Sequence, residues 1–309
     1  MSMKLFISIS ILVAFCSCSR QKESVENSVA ANEPEAISFS GKPLFAKPVE
    51  PAALAKSDSS INAIRSKENL TEDDFVEIGK HYVATNRYKL AISNYSEGLS
   101  KFPNSYKLLR NRGHRYITLR KLNEAIKDLK KAEELIPAVG EEMEYGLDGK
   151  PTATVRHQIY YHIGVYQFLK KDYIKAAAAF EKALAAADNS KNIVGASDWL
   201  YNCYMRIGRK DKADELLRPI TPDYVEDKDQ AYFRRVLFYK RLIKDEELID
   251  IAMLPEKMSI QDVTKLYGLA NWYKYQGNSA KSKELYMLVL QSDGWPGFAY
   301  AAAEKEMIP

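Results

Sequence analysis

Residues 72–105 read EDDFVEIGKHYVATNRYKLAISNYSEGLSKFPNS, and residues 106–139 follow directly as YKLLRNRGHRYITLRKLNEAIKDLKKAEELIPAV. Set one above the other, they are a single 34-residue pattern run twice. Phe75, Ile78, Gly79, Tyr82, Ala91, Tyr95, Gly98 and Pro103 fall at positions 4, 7, 8, 11, 20, 24, 27 and 32. The second copy places Leu109, Arg112, Gly113, Tyr116, Ala125, Leu129, Ala132 and Pro137 there, departing at Arg112 and Ala132. The spacing has a mechanical reading. Small residues at 8 and 20 let two antiparallel helices approach, and bulky residues at 4, 7, 11 and 24 fill the space around the crossing. Proline at 32 stops the second helix, since further in it would remove a backbone donor and clash with the preceding turn.

This pattern resembles the tetratricopeptide repeat (TPR), a helix–turn–helix unit with small residues at 8, 20 and 27 and proline at 32. A third copy is read at 157–190, with Tyr160, Ile163, Gly164, Ala176, Phe180 and Ala183 in register. A fourth starts near Val194 and carries Leu200, Tyr204, Gly208, Ala213 and Leu217. A fifth pair, about 227–254, keeps helical periodicity without the small residues and is degenerate; a sixth spans about 263–292. Residues 138–155 break the register with Gly140, Gly146, Gly149, Pro151 and an acidic run, and read as an inserted loop. Trp295-Pro296-Gly297 introduces a last helix, Phe298–Met307, expected to shield the final repeat. The fold class is all-α: a right-handed TPR-like helical-hairpin solenoid of about five to six repeats with a C-terminal capping helix, as domain 71–309.

The start of the chain carries a different signal. Met1–Lys4 is basic, Leu5–Phe15 is apolar, and Cys16-Ser17-Cys18-Ser19-Arg20 follows. The apolar run is too short to span a bilayer and fits a secretory leader over 1–18. Its end resembles the lipobox of bacterial lipoproteins; of the two cysteines, Cys18 fits as the lipidated residue better than Cys16, because the small Ser17 precedes it whereas the bulky Phe15 precedes Cys16. That likeness implies a lipid-anchored protein of the bacterial cell envelope, at the outer membrane and facing the periplasm. Residues 19–70 are rich in Ser, Ala, Glu, Lys and Pro and are expected as a flexible tether, with Leu44-Phe45 and Ile61/Ile64 able to dock locally.

The chemistry of the rest is sparse. Net charge is +4, spread along the chain rather than gathered on one basic face, so no nucleic-acid partner is expected. Beyond the leader the one cysteine is Cys203, which excludes an internal disulfide. His157 and His162 lie five apart, about 140° around a helix, and do not share a face. No His-Glu-x-x-His, Gly-x-Ser-x-Gly or phosphate-loop motif occurs. The expectation is therefore a protein that is not an enzyme, with no catalytic residue, no metal, no cofactor and no small-molecule substrate.

What the resemblance leaves for function is the inner wall, lined in TPR arrays by the first helix of each pair. Lys80, Lys107, Arg110, His114, Tyr161, Phe168 and Arg206 are the candidate groove residues: basic early, aromatic and apolar in the middle. Such a wall would suit an extended peptide, or a helix with acidic groups near one end. Val76 and Lys80 depart from the carboxylate clamp of some TPR domains, which is not carried over. The resulting expectation is a non-catalytic scaffold or adaptor holding a protein or peptide in its concave groove. The alternative is an assembly or trafficking factor, or an accessory subunit of an envelope enzyme complex.

Overall fold

The computed structural model describes residues 33–137 and 142–308. The leader, Cys18 and Glu141 lie outside the described residues. The chain divides into Met1–Pro34 and a folded unit, Glu35–Pro309.

Six helix pairs build the folded unit. They are α2 (Glu72–Ala84) with α3 (Tyr88–Lys101), α4 (Tyr106–Thr118) with α5 (Leu122–Leu135), and α6 (Val155–Leu169) with α7 (Tyr173–Ala185). Then come α8 (Ser190–Arg206) with α9 (Lys210–Leu217), α10 (Ala231–Tyr239) with the one-turn α11 (Asp245–Leu248), and α12 (Ile260–Tyr275) with α13 (Ser279–Gln291). First helices start on side-chain caps: Thr71, Ser105, Thr154, Asn189 and Ser259 each accept from an N–H three residues on. Such caps satisfy donors that the helix itself cannot.

A backbone signature ties the six pairs together. Asn86, Arg120, Lys171, Gly208, Arg241 and Gly277 all have φ between +58° and +78°, and each sits at position 15 of its copy. In every case the next residue's N–H bonds back to the carbonyl at position 11, as in Arg87 to Tyr82 and Leu242 to Leu237. This left-handed residue followed by a six-to-one bond is how a helix ends before reversing. The fifth pair, degenerate in side chains, therefore keeps the repeat in its backbone. Glycine contacts refine the packing rule: a Cβ on Gly79, Gly113 or Gly164 would lie within 3.0 Å of Tyr95, Leu129 or Phe180. It is the side chain at position 24 that lies over the small residue at position 8.

The expected tether at 19–70 does not hold from Glu35 onward. Ala36–Ile37 (β1) pairs antiparallel with Pro43–Leu44 (β2), and Pro51–Arg65 forms α1. Ile61 and Ile64 of α1 are buried against Ile78, so α1 packs on the first helix of the first pair, while Arg65 bonds Glu97 and Asn94 of the second. The segment following β2 is fixed to the far end of the chain: Trp295 Nε1 donates to the Phe45 carbonyl at 2.7 Å and Lys47 meets Asp293 at 2.8 Å. The inserted loop is a second antiparallel hairpin, β3 (Met143–Tyr145) with β4 (Pro151–Thr154).

The last helix, α14 (Phe298–Met307), packs on α13 as a cap would and also touches α12 and the distant α6. Ala299, Tyr300, Ala301, Ala302, Ala303 and Glu304 are all buried. A helix buried around its whole circumference is core, so α14 is enclosed by the repeats instead of presenting a polar side to water.

Candidate functional site

Each candidate on the inner wall has a partner from this same chain. At the start of the wall, Lys80 of α2 donates to the Tyr145 carbonyl at 2.6 Å. Lys107 of α4 bridges Asp73 at 2.9 Å and Glu142 at 2.5 Å. Burial lowers its ammonium's affinity for a proton, and the two carboxylates more than reverse that, so the net shift is upward. Arg110, buried, is paired with Glu144 of β3, and Tyr106 donates to Glu142. The hairpin thus lays its acidic side chains on the basic part of the wall.

In the middle of the wall the occupant is α14. The rings of His114 and His162 lie 4.1 Å apart, and Phe298 rests 5.0 Å from His114 and 5.7 Å from His162. Tyr161 packs edge-on to Phe180 and donates its hydroxyl proton to Tyr232. Burial, with Arg115 and Arg110 nearby, holds both His114 and His162 well below the usual imidazole value, so both are neutral. Phe168, 2 % exposed, meets Trp199 at 4.9 Å and lies under the Arg206 guanidinium. Arg206 in turn holds Glu306 of α14 at 2.7 Å and the Asn271 side-chain oxygen at 2.9 Å, and Lys274 holds the other Glu306 oxygen at 2.5 Å.

Two buried ion pairs that sequence reasoning missed complete this arrangement. Arg120, in the turn of the second pair, grips both carboxylate oxygens of Glu304 at 3.0 and 3.1 Å and the Trp295 carbonyl at 2.9 Å. Both members of that pair are 3 % exposed. Further along, Arg235 of α10 and Asp198 of α8 meet at 3.0 Å, both fully buried. Gly268 of α12 makes room for that guanidinium, since a Cβ there would fall 2.6 Å from Arg235 Nε. Neither pair has a local sequence signal, because the partners lie far apart in the chain.

The open stretch of inner wall beside the hairpin lies at its N-terminal end. A cavity of about 440 Å³ is bounded by Asp73, Val76, Glu77 and Lys80 of α2, Lys107 of α4, and hairpin residues from Glu142 to Gly149. Tyr145 and Leu147 stand about half exposed at its lip. Polar and apolar surfaces meet there.

Comparison with known proteins agrees with the repeat reading. The tetratricopeptide repeat family model matches residues 106–139 and 157–190, the second and third copies. No curated protein matches the chain. Among solved structures it is similar to YrrB, described as a TPR protein with an unusual peptide-binding site, at 14 % identity over 76 % of this chain and 92 % of that one, TM-score 0.42. It is also similar to a tetratricopeptide repeat protein from Parabacteroides merdae, at 13 % identity over 77 % and 85 % of the two chains, TM-score 0.46. A third is PilF from Pseudomonas aeruginosa, at 12 % identity over 75 % and 93 %, TM-score 0.42. With two copies matched by the family model and all six pairs sharing one backbone turn, the chain carries tetratricopeptide repeats.

Proposed function

We propose that this protein is a non-catalytic interaction scaffold that holds a protein partner at the open N-terminal end of its inner wall, beside α2 and the inserted hairpin. Tetratricopeptide repeats support a protein–protein interaction role in general. The observation that carries the narrower reading is the pairing of Lys107, Arg110, His114, Tyr161, Phe168 and Arg206 with side chains of the hairpin, α14 and neighbouring helices. Those residues are committed within the chain, and so are Lys80 and Asp73 through Tyr145 and Lys107, which leaves exposed Glu77 and the cavity around it as the stretch of wall a partner can reach among the described residues. The leader and Ser17-Cys18 support attachment to the bacterial envelope through a lipid on Cys18, with the repeats facing the periplasm at the outer membrane.

A photoreactive residue at exposed Leu147 on the cavity lip, compared with one at exposed Lys127 on α5, tests the partner surface. Irradiation in cells should give a discrete protein adduct from Leu147 and none from Lys127. Adducts from Lys127 alone, or from neither site, would refute the assignment. Anchoring is tested separately: Cys18→Ser should abolish incorporation of labelled palmitate and release the protein from membranes, and retention of label would exclude Cys18.

A further inference from the structure

We infer that the partner binds as an extended segment that adds a third strand to the outer edge of β3 and carries a basic side chain to Glu77; this rests on the scaffold reading above. The hairpin register supplies the first argument. Val155 N–H bonds the Glu142 carbonyl at 2.8 Å and Glu144 faces Ala153. Backbone pairs alternate along an antiparallel ladder, so Met143, between those two bonded pairs, turns its own N–H and carbonyl away from β4. The cavity lies on that side: Met143, Glu144 and Tyr145 line it and no residue of β4 does. Lys80 already holds the Tyr145 carbonyl on the cavity side, so the Met143 N–H and carbonyl are the edge groups left as a template for another chain, and strand addition is a recurring mode of peptide capture.

Charge fixes the kind of segment. Asp73, Glu77, Glu142 and Glu144 border the cavity, against Lys80 and Lys107, with Arg110 engaged by Glu144. Lys107 is shared between Asp73 and Glu142, and Asp73 keeps 75 % of its side chain exposed. Glu144 is nine-tenths buried, and its Oε1 has no hydrogen-bond partner among the described residues. Negative charge therefore exceeds positive in the cleft, and an entering lysine or arginine corrects it. Val76, Tyr145 and Leu147 supply apolar contact for the residues that alternate with it.

The test pans a phage-displayed library of random nonapeptides on the immobilised full chain, then measures the enriched peptide, synthesised alone, against variants. Enrichment of extended sequences with a lysine or arginine between alternating apolar residues is expected. Met143→Pro removes the outward N–H and should weaken binding at least tenfold, Met143→Ala should leave it within threefold, and Glu77→Lys should weaken it at least tenfold. Should Met143→Pro disturb the hairpin, hydrogen exchange in the unmodified chain decides: the Met143 amide must slow when peptide binds. A peptide that binds equally well to Met143→Pro, one enriched in acids, no enrichment at all, or an unprotected Met143 amide overturns strand addition. A Leu147 photo-adduct that persists when Met143→Pro is added would keep the scaffold reading while rejecting this geometry; absence of any Leu147 adduct in the otherwise unmodified chain would reject both.

Discussion

Replacing Glu304 by alanine should be among the most damaging single changes in the molecule, and the structure gives the size. Arg120 is 3 % exposed and loses both carboxylate contacts, at 3.0 and 3.1 Å. Breaking a buried pair by removing one partner costs about 3–5 kcal/mol, mostly because the other charge is stranded. Arg120 keeps the Thr118 and Trp295 carbonyls as acceptors, which puts the expected loss near the lower end, about 3 kcal/mol. With a urea dependence of about 3 kcal/mol per molar, the top of the usual range for small proteins, the unfolding midpoint should fall by about 1 M. The double variant Arg120→Met with Glu304→Leu removes both charges and fills the same space, so it should recover most of the loss. A Glu304→Ala midpoint within 0.3 M of wild type (about 1 kcal/mol), or a double variant worse than the single, would show that the pair does not hold α14 in place.

Other outcomes follow from single sites. Gly164→Ala puts a Cβ 2.7 Å from the Phe180 ring and should cost about 1–3 kcal/mol through overpacking. Gly208→Ala meets no atom within 4 Å and loses only the left-handed preference at φ +72°, about 1–2 kcal/mol; chemical denaturation should rank Gly164→Ala as equal or worse, and the reverse order would contradict the position 8 to 24 packing. His114 and His162 are held well below their ordinary value of 6.5, so the unfolded chain takes up protons first as pH falls. Stability should therefore drop below about pH 6.5, by up to ~1.4 kcal/mol per pH unit for each imidazole. The difference between wild type and a His114→Gln/His162→Gln variant isolates that slope, and identical pH dependence in the two would refute it. Gly268→Ala should destabilise by about 1–3 kcal/mol by pushing on Arg235, and the extra loss should shrink when Arg235 is already shortened to Met.

The repeats were legible because their constraint is local. Glycine at position 8 under a ring at 24, and proline at 32, recur at fixed spacing whatever the partner does. The fifth pair reads from sequence as degenerate because its signature is a backbone angle at Arg241, a residue that does not announce left-handed φ. The side-chain types of the inner wall are also readable: a basic start and an aromatic middle. Its occupants are not, because Glu142, Glu144, Phe298 and Glu306 come from an insertion and a terminus whose sequence spacing to the wall is arbitrary. The ordered segment from Glu35 to Arg65 reads as tether on composition, with Leu44-Phe45 and Ile61/Ile64 as the groups able to dock. Leu44, Ile61 and Ile64 are indeed buried by neighbours, whereas the Phe45 carbonyl's bond to Trp295 is something composition cannot show.

Enclosure of α14 within the repeat array is what removes the middle of the inner wall from a partner's reach, and hydrogen exchange of the unmodified chain measures it directly. The amides of Ala301, Ala302 and Ala303 should exchange as slowly as those in the centres of α6 and α12. Exchange of those three within seconds, as at a frayed terminus, would mean that the helix leaves the wall readily and that the middle of the groove is open to a partner after all.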